Sequence, residues 1–278
     1  MISPHRIKYR GIESAELNIL DLIMCVAFDS DNGETSTFLS REAVASETYD
    51  GRYKKVHGYK YSESFSPKFT FMKKDFGNFT IEEVRQVIKW LTSTDTTALL
   101  DVYYDDSNVV SWSAIGGWTE ISTYKLANNR TVGIVATFEA VTPYALSDLY
   151  TVTKTITAVD NKITINIDTD DNKPVYPRII IQQNGTAGDV QIINQHYDFF
   201  NKASNPVVMT IKNNTSTEKI MVDGANRIIS SSNTGRIFGD DFEDWAWLPL
   251  FDGKNELTIS GNCSVEISYR EVRKVGEY

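Results

Sequence analysis

Hydrophobic and polar residues alternate along most of the chain, in short stretches that end at polar turns. Examples of these stretches are TALLDVYY (97–104), KITINIDT (162–169) and SVEISYREV (264–272). An alternation with a period of two predicts β-strands that bury one face. Short strands separated by tight turns, at a spacing of about 8–14 residues, are typical of antiparallel β-sandwiches.

One segment, FTIEEVRQVIKWLTS (79–93), has the periodicity of a helix instead. Thr80 followed by Glu83 has the spacing of a capping box, which predicts that the helix begins directly after Thr80. The apolar residues predicted to share its buried face are Ile81, Val84, Val87, Ile88 and Leu91. One helix among so many strands excludes a parallel α/β fold, which needs helical crossovers between strands.

The segment VTPYALSD (141–148) divides the chain, because Pro143 cannot donate to a sheet ladder and the only predicted helix lies before it. We therefore expect a mainly β protein with two domains. Residues 1–145 are predicted to form a β-sandwich with one packed α-helix, and residues 146–278 a purely antiparallel β-sandwich. Within the first domain, the polar, tyrosine-rich stretch 40–64 predicts a protruding hairpin built from Tyr49, Tyr53, Tyr59 and Tyr61.

The composition, with 41% hydrophobic and 23% charged residues in 278, is that of an ordinary soluble globular protein. No window approaches the roughly 20 apolar residues of a membrane-spanning helix, so membrane insertion is not expected. No secretory signal is predicted at the N-terminus. The formal net charge of −9 argues against a nucleic-acid grip, which depends on clustered Lys and Arg.

Motifs for catalysis and cofactor binding are absent from the sequence. There is no GxSxG elbow and no phosphate-binding glycine loop, and Gly116-Gly117 is interpreted as a hairpin turn. Cys25 and Cys263 are far apart and are predicted to be small buried hydrophobes. The three histidines stand alone, so we predict no metal site, no cofactor and no enzyme.

The signals for chemistry or binding are weak along the whole sequence, and the strongest of them lie in the segment GDDFEDWAWLPLFDG (239–253). Its carboxylates have the residue types of a glycosidase acid–base pair or a cation site, although carboxylates in turns are usually only solvated. Trp245 and Trp247, two residues apart, are predicted to share one strand face. That face fits either core packing or a surface for a sugar or a partner protein.

Several segments, in order, resemble the distal tail (Dit) proteins of long-tailed phages that infect Gram-positive bacteria. YRGIESAEL (9–17) is similar to that family's start, and FTIEEVRQVIKWLT (79–92) resembles the single helix of its first domain. TVGIVATFEAVTPYALSD (131–148) is similar to the strand that closes that domain. PVYPRIIIQ (174–182) and DDFEDWAWLPLFDGKNELTISGNCSVEISYREVR (240–273) resemble an early strand and the ending of the second domain.

The resemblance implies an N-terminal belt domain that forms a ring, with six copies expected, and a C-terminal galectin-like sandwich. Such a ring would lie at the distal end of the phage tail in the virion. It would join the tail tube protein to a tail-associated lysin or fibre protein, and often holds receptor-binding components. The second domain is too short for the arm or inserted sugar-binding module that some members carry, which puts receptor-binding-protein attachment in doubt.

Two expectations about residues follow from this resemblance. Within the tyrosine-rich hairpin, the segment from Thr48 to Ser62 is the candidate for reaching a neighbouring subunit, since Tyr is enriched at interfaces. Six copies at −9 each carry −54, so an acidic lumen would let DNA pass without specific binding. The alternatives are a lectin-like module that recognises host cell-wall saccharide through the second domain, and, less favoured, a carbohydrate-active enzyme that uses the GDDFED carboxylates.

Overall fold

The structure is a computed structural model of the 278-residue chain. It describes residues 6–17, 22–25, 41–47, 53–61, 64–104, 108–126, 129–171, 173–195, 197–198, 203–204 and 206–274. The predicted mainly β architecture with one α-helix is confirmed, and the sheets are antiparallel. Internal contacts divide the chain into a first unit, Met1–Asp148 with Arg273–Tyr278, and a second unit, Leu149–Val272.

The first unit contains one helix and most of one large sheet. Its elements are β1 (Arg6–Tyr9), β2 (Ile12–Glu13), a 3-10 turn (Ser14–Glu16), β3 (Leu22–Cys25), β4 (Arg41–Glu47), β5 (Lys54–Tyr61), β6 (Lys68–Lys73), α1 (Ile81–Thr92), β7 (Ala98–Tyr103), β8 (Trp112–Leu126), β9 (Arg130–Ala140) and β10 (Ala145–Leu146). The strand order of the sheet is β2-β1-β7-β8-β9-β6-β3, and β10 adds to β8. Tyr9 lies at the centre of its core, with ring centroids 6.4 Å from Trp90, 5.9 Å from Trp118 and 6.2 Å from Phe138.

The helix α1 begins where the capping box predicts. Thr80 Oγ1 accepts a hydrogen bond from the Glu83 backbone N–H at 3.2 Å, and the Glu83 carboxylate accepts one from the Thr80 N–H at 2.7 Å. The predicted buried face is partly wrong, because Ile81 is 90% exposed whereas Trp90 is buried. At 100° per residue, the buried stripe centres on Val87, Trp90 and Leu91, and Ile81 projects roughly 125° away from it.

A buried ion pair fastens the start of α1 to the end of β6. Lys73 Nζ lies 2.8 Å from Glu83 Oε1, and the Lys73 side chain is only 8% exposed. Burial raises the pKa of Glu83, but hydrogen bonds from Lys73 and Thr80 outweigh it and hold this pKa below its usual value. The charged form of Glu83 is therefore favoured in the folded state.

We expect Glu83→Gln to lower the free energy of unfolding by about 1–2 kcal/mol at pH 7, because the cap and the ion pair both lose a charged acceptor. The folded-state pKa is depressed, so this contribution is present above the unfolded carboxylate's pKa and is lost as pH falls through the folded value. Urea unfolding at pH 7 and pH 3 measures it. The matched control is Glu82→Gln, whose ion pair with Arg85 is exposed. Equal losses in both variants would contradict the prediction.

The interpretation of Gly116-Gly117 as a hairpin turn is wrong, because both glycines lie inside β8. This 15-residue strand pairs with β7 as far as Gly116 and with β9 from Gly116 to Leu126. A Cβ atom on Gly116 would lie 2.0 Å from the Glu139 carbonyl oxygen and 2.8 Å from Ala140 Cα. Glycine is present at this position because the backbone of β9 approaches too closely for any side chain.

The second unit is an antiparallel sandwich with one core. Its elements are β11 (Tyr150–Thr155), β12 (Lys162–Ile167), β13 (Arg178–Gln183), β14 (Gly188–Gln195), β15 (Tyr197–Asp198), β16 (Ala203–Ser204), β17 (Val207–Asn214), β18 (Lys219–Asp223), β19 (Ile228–Ser231), two 3-10 turns (Gly239–Asp241 and Glu243–Trp245), β20 (Gly253–Ser260) and β21 (Cys263–Tyr269), with β22 (Val272–Arg273) at its boundary. The two sheets have the orders β11-β21-β13-β18-β19 and β12-β20-β14-β17. Alternate residues of each strand, such as Ile163, Ile165 and Ile167, form the core between them.

Candidate interaction surfaces

The predicted tyrosine-rich hairpin is present as an antiparallel ribbon of β4 and β5, with Arg41 opposite Tyr61 and Glu47 opposite Lys54. Among the described strands, these two pair only with each other. Tyr53 and Tyr59 are 72% and 65% exposed. Tyr49 lies outside the described residues, and of Tyr61 only the backbone is described.

The two faces of the ribbon differ in chemistry. The strand register places Ala43 opposite Tyr59 and Ala45 opposite Val56, and these four residues share one face. Glu47 and Lys54 flank them at the end of that face. The other face carries the 2.9 Å ion pair of Glu42 with Lys60, together with Ser46 and Lys55, and Val44 is its one large apolar side chain among the described residues. Val56 is half exposed, so the apolar face of the ribbon lies in solvent in the isolated chain.

The outer part of β8 is a second unusual surface of the first unit. Its partner on one side, β7, ends opposite Gly116, so from Gly117 to Leu126 only β9 pairs with β8 in the part of the chain that the structure describes. The exposed side chains in this stretch are those of Thr119, Glu120, Ser122, Thr123, Lys125 and Leu126. An unpaired strand edge of this length is a template for another strand.

The two candidate tryptophans do not share a strand face, which corrects the sequence interpretation. Trp245 ends the 3-10 turn Glu243–Trp245, and no strand covers the two residues after it. Asp244 and Trp245 have φ angles of 52° and 50°, so the alternation of a strand does not apply. Both indoles contact Phe242, with centroids 5.5 Å and 5.0 Å away, but Trp247 packs against the core while Trp245 is 52% exposed.

A buried ion pair holds the segment that carries these tryptophans. Arg236 Nη1 lies 2.9 Å from Glu218 Oε2, and their side chains are 6% and 0% exposed. Arg236 also donates to the Asn213 carbonyl at 2.8 Å and lies 3.4 Å from Asp241. Burial raises the pKa of Glu218, but hydrogen bonds from Ser231 and Thr215 and the charge of Arg236 outweigh it and lower this pKa.

Two buried asparagines fix the WLPLF stretch that follows. Asn194 donates to the Pro249 carbonyl and to Asn255 Oδ1, both at 2.9 Å. Asn255 accepts from the Phe251 N–H at 2.9 Å and donates to the Phe251 carbonyl at 2.7 Å. Neither these two asparagines nor the Glu218–Arg236 pair was predicted from the sequence, because their partners lie in distant strands and turns.

Two of the carboxylates in the acidic segment 239–245 are held by hydrogen bonds and ion pairs. Asp241 accepts from Asn213 Nδ2 at 2.7 Å, and Glu243 forms a 2.9 Å ion pair with Lys212. Hydrogen bonds from Lys212 and Thr210 hold the pKa of Glu243 below its usual value, the opposite of what a general acid needs. Within the described ranges, no three His, Cys, Asp or Glu side chains come together as a metal site, and no helix is long and apolar enough to cross a membrane.

Two family models match the chain, one for each of its two units. Residues 5–141 match a family model described as a phage tail protein N-terminal domain, and residues 144–269 match one described as a phage tail C-terminal domain. No curated protein sequence matches the chain.

Two solved structures share the fold along the whole chain. One is the Dit protein (gp 19.1) of phage SPP1, described as a paradigm of the hub adsorption apparatus in phages that infect Gram-positive bacteria. It has a TM-score of 0.62 and 12% identity, over 95% of this chain and 98% of that one. The other, from the activated phage P2 baseplate with Ca, has a TM-score of 0.52 and 10% identity, over 99% of this chain and 100% of that one. Because both domains match in succession and the fold is that of Dit, the chain belongs to the phage tail proteins and is Dit-like.

Proposed function

We propose that the chain is a ring-forming hub at the distal end of the tail, most simply a hexamer. In this role it joins the tail tube protein to a tail-associated lysin or fibre protein and contributes to host attachment. The observation that carries the proposal is the β4–β5 ribbon, whose apolar face is exposed in a single chain. The SPP1 Dit protein, which has the same fold and is described as a paradigm of the hub adsorption apparatus, supports the proposal.

The ribbon needs a partner on physical grounds. A two-stranded hairpin is at best marginally stable in water, and a third strand or a covering surface is needed to stabilise it. Ala43, Ala45, Val56 and Tyr59 form an apolar face that a second copy of the chain would remove from water. The tyrosine-rich segment singled out in the sequence is therefore our proposed subunit contact, with Tyr53 and Tyr59 as its described tyrosines.

The open edge of β8 supports a head-to-tail arrangement of copies. The ribbon and the β8 edge are two different surfaces of one chain, and a contact between different surfaces closes into a ring when the rotation is correct. Residues 117–126 offer backbone groups for such a contact. With a net charge of −9 per copy, we propose that the channel of the ring is acidic and lets DNA pass without binding it specifically.

Two neighbouring substitutions test the ribbon contact, because Val56 and Lys55 lie on opposite faces. We expect Val56→Asp to weaken ring formation by more than tenfold in concentration, since it buries a charge in the contact, whereas Lys55→Asp leaves the ring intact. Mass photometry of the purified full-length protein across a concentration series measures both. A monomeric wild type at micromolar concentration would contradict the ring, and equal effects of the two variants would contradict the assigned face.

For the alternative function, a saccharide-binding module, only one of the two candidate tryptophans is accessible. Trp247 is half-buried against Phe242, and the Arg227 guanidinium carbon lies 5.5 Å from its ring centroid. Only Trp245 stays available to a ligand, so a stacking platform of two indoles is not present. A galectin-like identity for the second unit stays a prediction.

A further inference from the structure

The connection between β19 and β20 holds Trp245 on a rigid base. Phe242 is 1% exposed and forms an isolated bridge with Ile211 of β17, so the turn Glu243–Trp245 begins next to a residue of the core. On one side the buried Arg236–Glu218 pair fixes the chain, and on the other side Leu248 is buried. The position of Trp245 is therefore set by core contacts.

The backbone that presents Trp245 is unfavourable for its residues. Asp244 and Trp245 both have left-handed φ angles, a conformation that residues with a Cβ atom rarely adopt. For Trp245 no local hydrogen bond of its own side chain favours this conformation. The result is an indole that is 52% exposed at the end of a fixed turn. Another large apolar side chain of the same connection, Ile237, is 86% exposed. Tryptophan is one of the residue types enriched among the hot spots of protein interfaces.

The carboxylates beside Trp245 decide which kind of partner fits. Glu243 and Asp241 have cations of their own, Lys212 and Arg236. Asp240 and Asp244 are exposed and take part in no salt bridge in the part of the chain that the structure describes. The charge of Asp244 also acts on Lys212, but the carboxylates of Asp240, Asp241, Glu243 and Asp244 outnumber these two cations. The excess negative charge favours a basic partner, whereas a neutral sugar supplies no counter-charge.

We infer that Trp245 docks into an apolar pocket, rimmed by Lys or Arg, on another protein of the phage tail, with Asp240 and Asp244 facing the basic rim. This contact is separate from the ribbon contact of the first unit. The Trp245 contact requires that the chain is a tail protein, but it does not require ring formation. An experiment that contradicts the ribbon contact therefore does not contradict the Trp245 contact, and the reverse also holds.

Photo-crosslinking in assembled tail particles tests the site directly. The photoreactive residue benzoylphenylalanine replaces Trp245, and in a control it replaces Val159, which is 96% exposed in a turn of the same unit. We expect position 245 to yield a crosslinked peptide of a different tail protein next to Lys or Arg residues, and position 159 to yield none. Crosslinks only to other copies of this chain, only to saccharide, or to no molecule would each overturn the inference.

Affinity measurements with the crosslinked tail protein, purified, provide the second test. We expect Trp245→Ala to weaken binding at least tenfold, as hot-spot tryptophans do, and Val159→Ala to leave it unchanged. The double variant Asp240→Asn with Asp244→Asn should weaken binding about tenfold at 50 mM salt, with most of the effect lost at 500 mM. Unchanged affinity of Trp245→Ala, with folding verified by circular dichroism, would overturn the assignment.

Discussion

Replacing Arg236 by methionine is expected to lower the free energy of unfolding by about 3–5 kcal/mol at pH 7. The substitution leaves the Glu218 carboxylate, which is 0% exposed, without its cation. Hydrogen bonds from Ser231 and Thr215 remain, but they do not neutralise a buried charge. Urea unfolding of the full-length protein, followed by circular dichroism, gives the loss directly.

Two further variants identify the cause of that loss. The double variant Arg236→Met with Glu218→Gln removes both charges and should recover more than half of the lost free energy. Lys212→Met breaks the nearby Lys212–Glu243 pair, whose side chains are 40% and 45% exposed, and should cost far less than Arg236→Met because solvent screens an exposed pair. If the exposed pair cost as much as the buried pair, burial would not be the reason.

Lowering the pH should change the difference in unfolding free energy between the wild type and Arg236→Met. The folded-state pKa of Glu218 is depressed in the wild type, so its contribution is complete above the unfolded carboxylate's pKa and is lost as pH falls through the folded value. In Arg236→Met the buried carboxylate has no cation, and protonation relieves it. The stability gap between wild type and variant should therefore narrow between pH 6 and pH 3.

Replacing Gly116 by alanine is expected to cost about 3 kcal/mol or more, because the new methyl group would overlap the backbone of β9. The methyl carbon would lie 2.0 Å from the Glu139 carbonyl oxygen, a main-chain atom that cannot move aside as a flexible side chain can. The two central strands of the large sheet would have to separate locally. Thermal and urea unfolding both report the effect.

The neighbouring glycine is the matched control for this substitution. A Cβ atom on Gly117 meets nothing within 4 Å, so Gly117→Ala should be neutral or stabilise the protein by up to about 1 kcal/mol through a more restricted unfolded chain. Two adjacent glycines in one strand are thus expected to respond with opposite signs. Similar losses in both variants would show that strand glycines matter for a reason other than close approach.

Local signals in the sequence predicted the helix and the strands well. The α1 start follows from Thr80 and Glu83, which are three residues apart and cap each other's backbone N–H groups. The alternating strands of the second unit follow from a period of two, as in Ile163, Ile165 and Ile167. Both signals are complete within about ten residues, so no knowledge of the rest of the chain is needed.

Features that depend on distant parts of the chain could not be predicted. Gly-Gly has the same sequence whether it makes a turn or accommodates a neighbouring strand, and the deciding atoms at Glu139 lie 23 positions from Gly116. The different environments of Trp245 and Trp247 depend on left-handed backbone angles at Asp244 and Trp245, and a tryptophan rarely adopts such an angle. The partner of Glu218, Arg236, lies 18 residues away, on the far side of β19.

The edge of β8 from Gly117 to Leu126, which pairs with β9 alone among the described strands, also has a consequence for newly made protein. Before assembly, a ten-residue strand edge can recruit any extended chain and seed open-ended aggregates. The charges of Glu120 and Lys125 and the two bulges, at Trp118/Glu120 and Tyr124/Lys125, oppose this, because charge repels a wrong strand and a bulge twists the edge away from it. Neutralising these charges should make the protein precipitate during expression while leaving the folded protomer unchanged. The same edge is then an aggregation hazard before assembly, and the proposed ring would cover it.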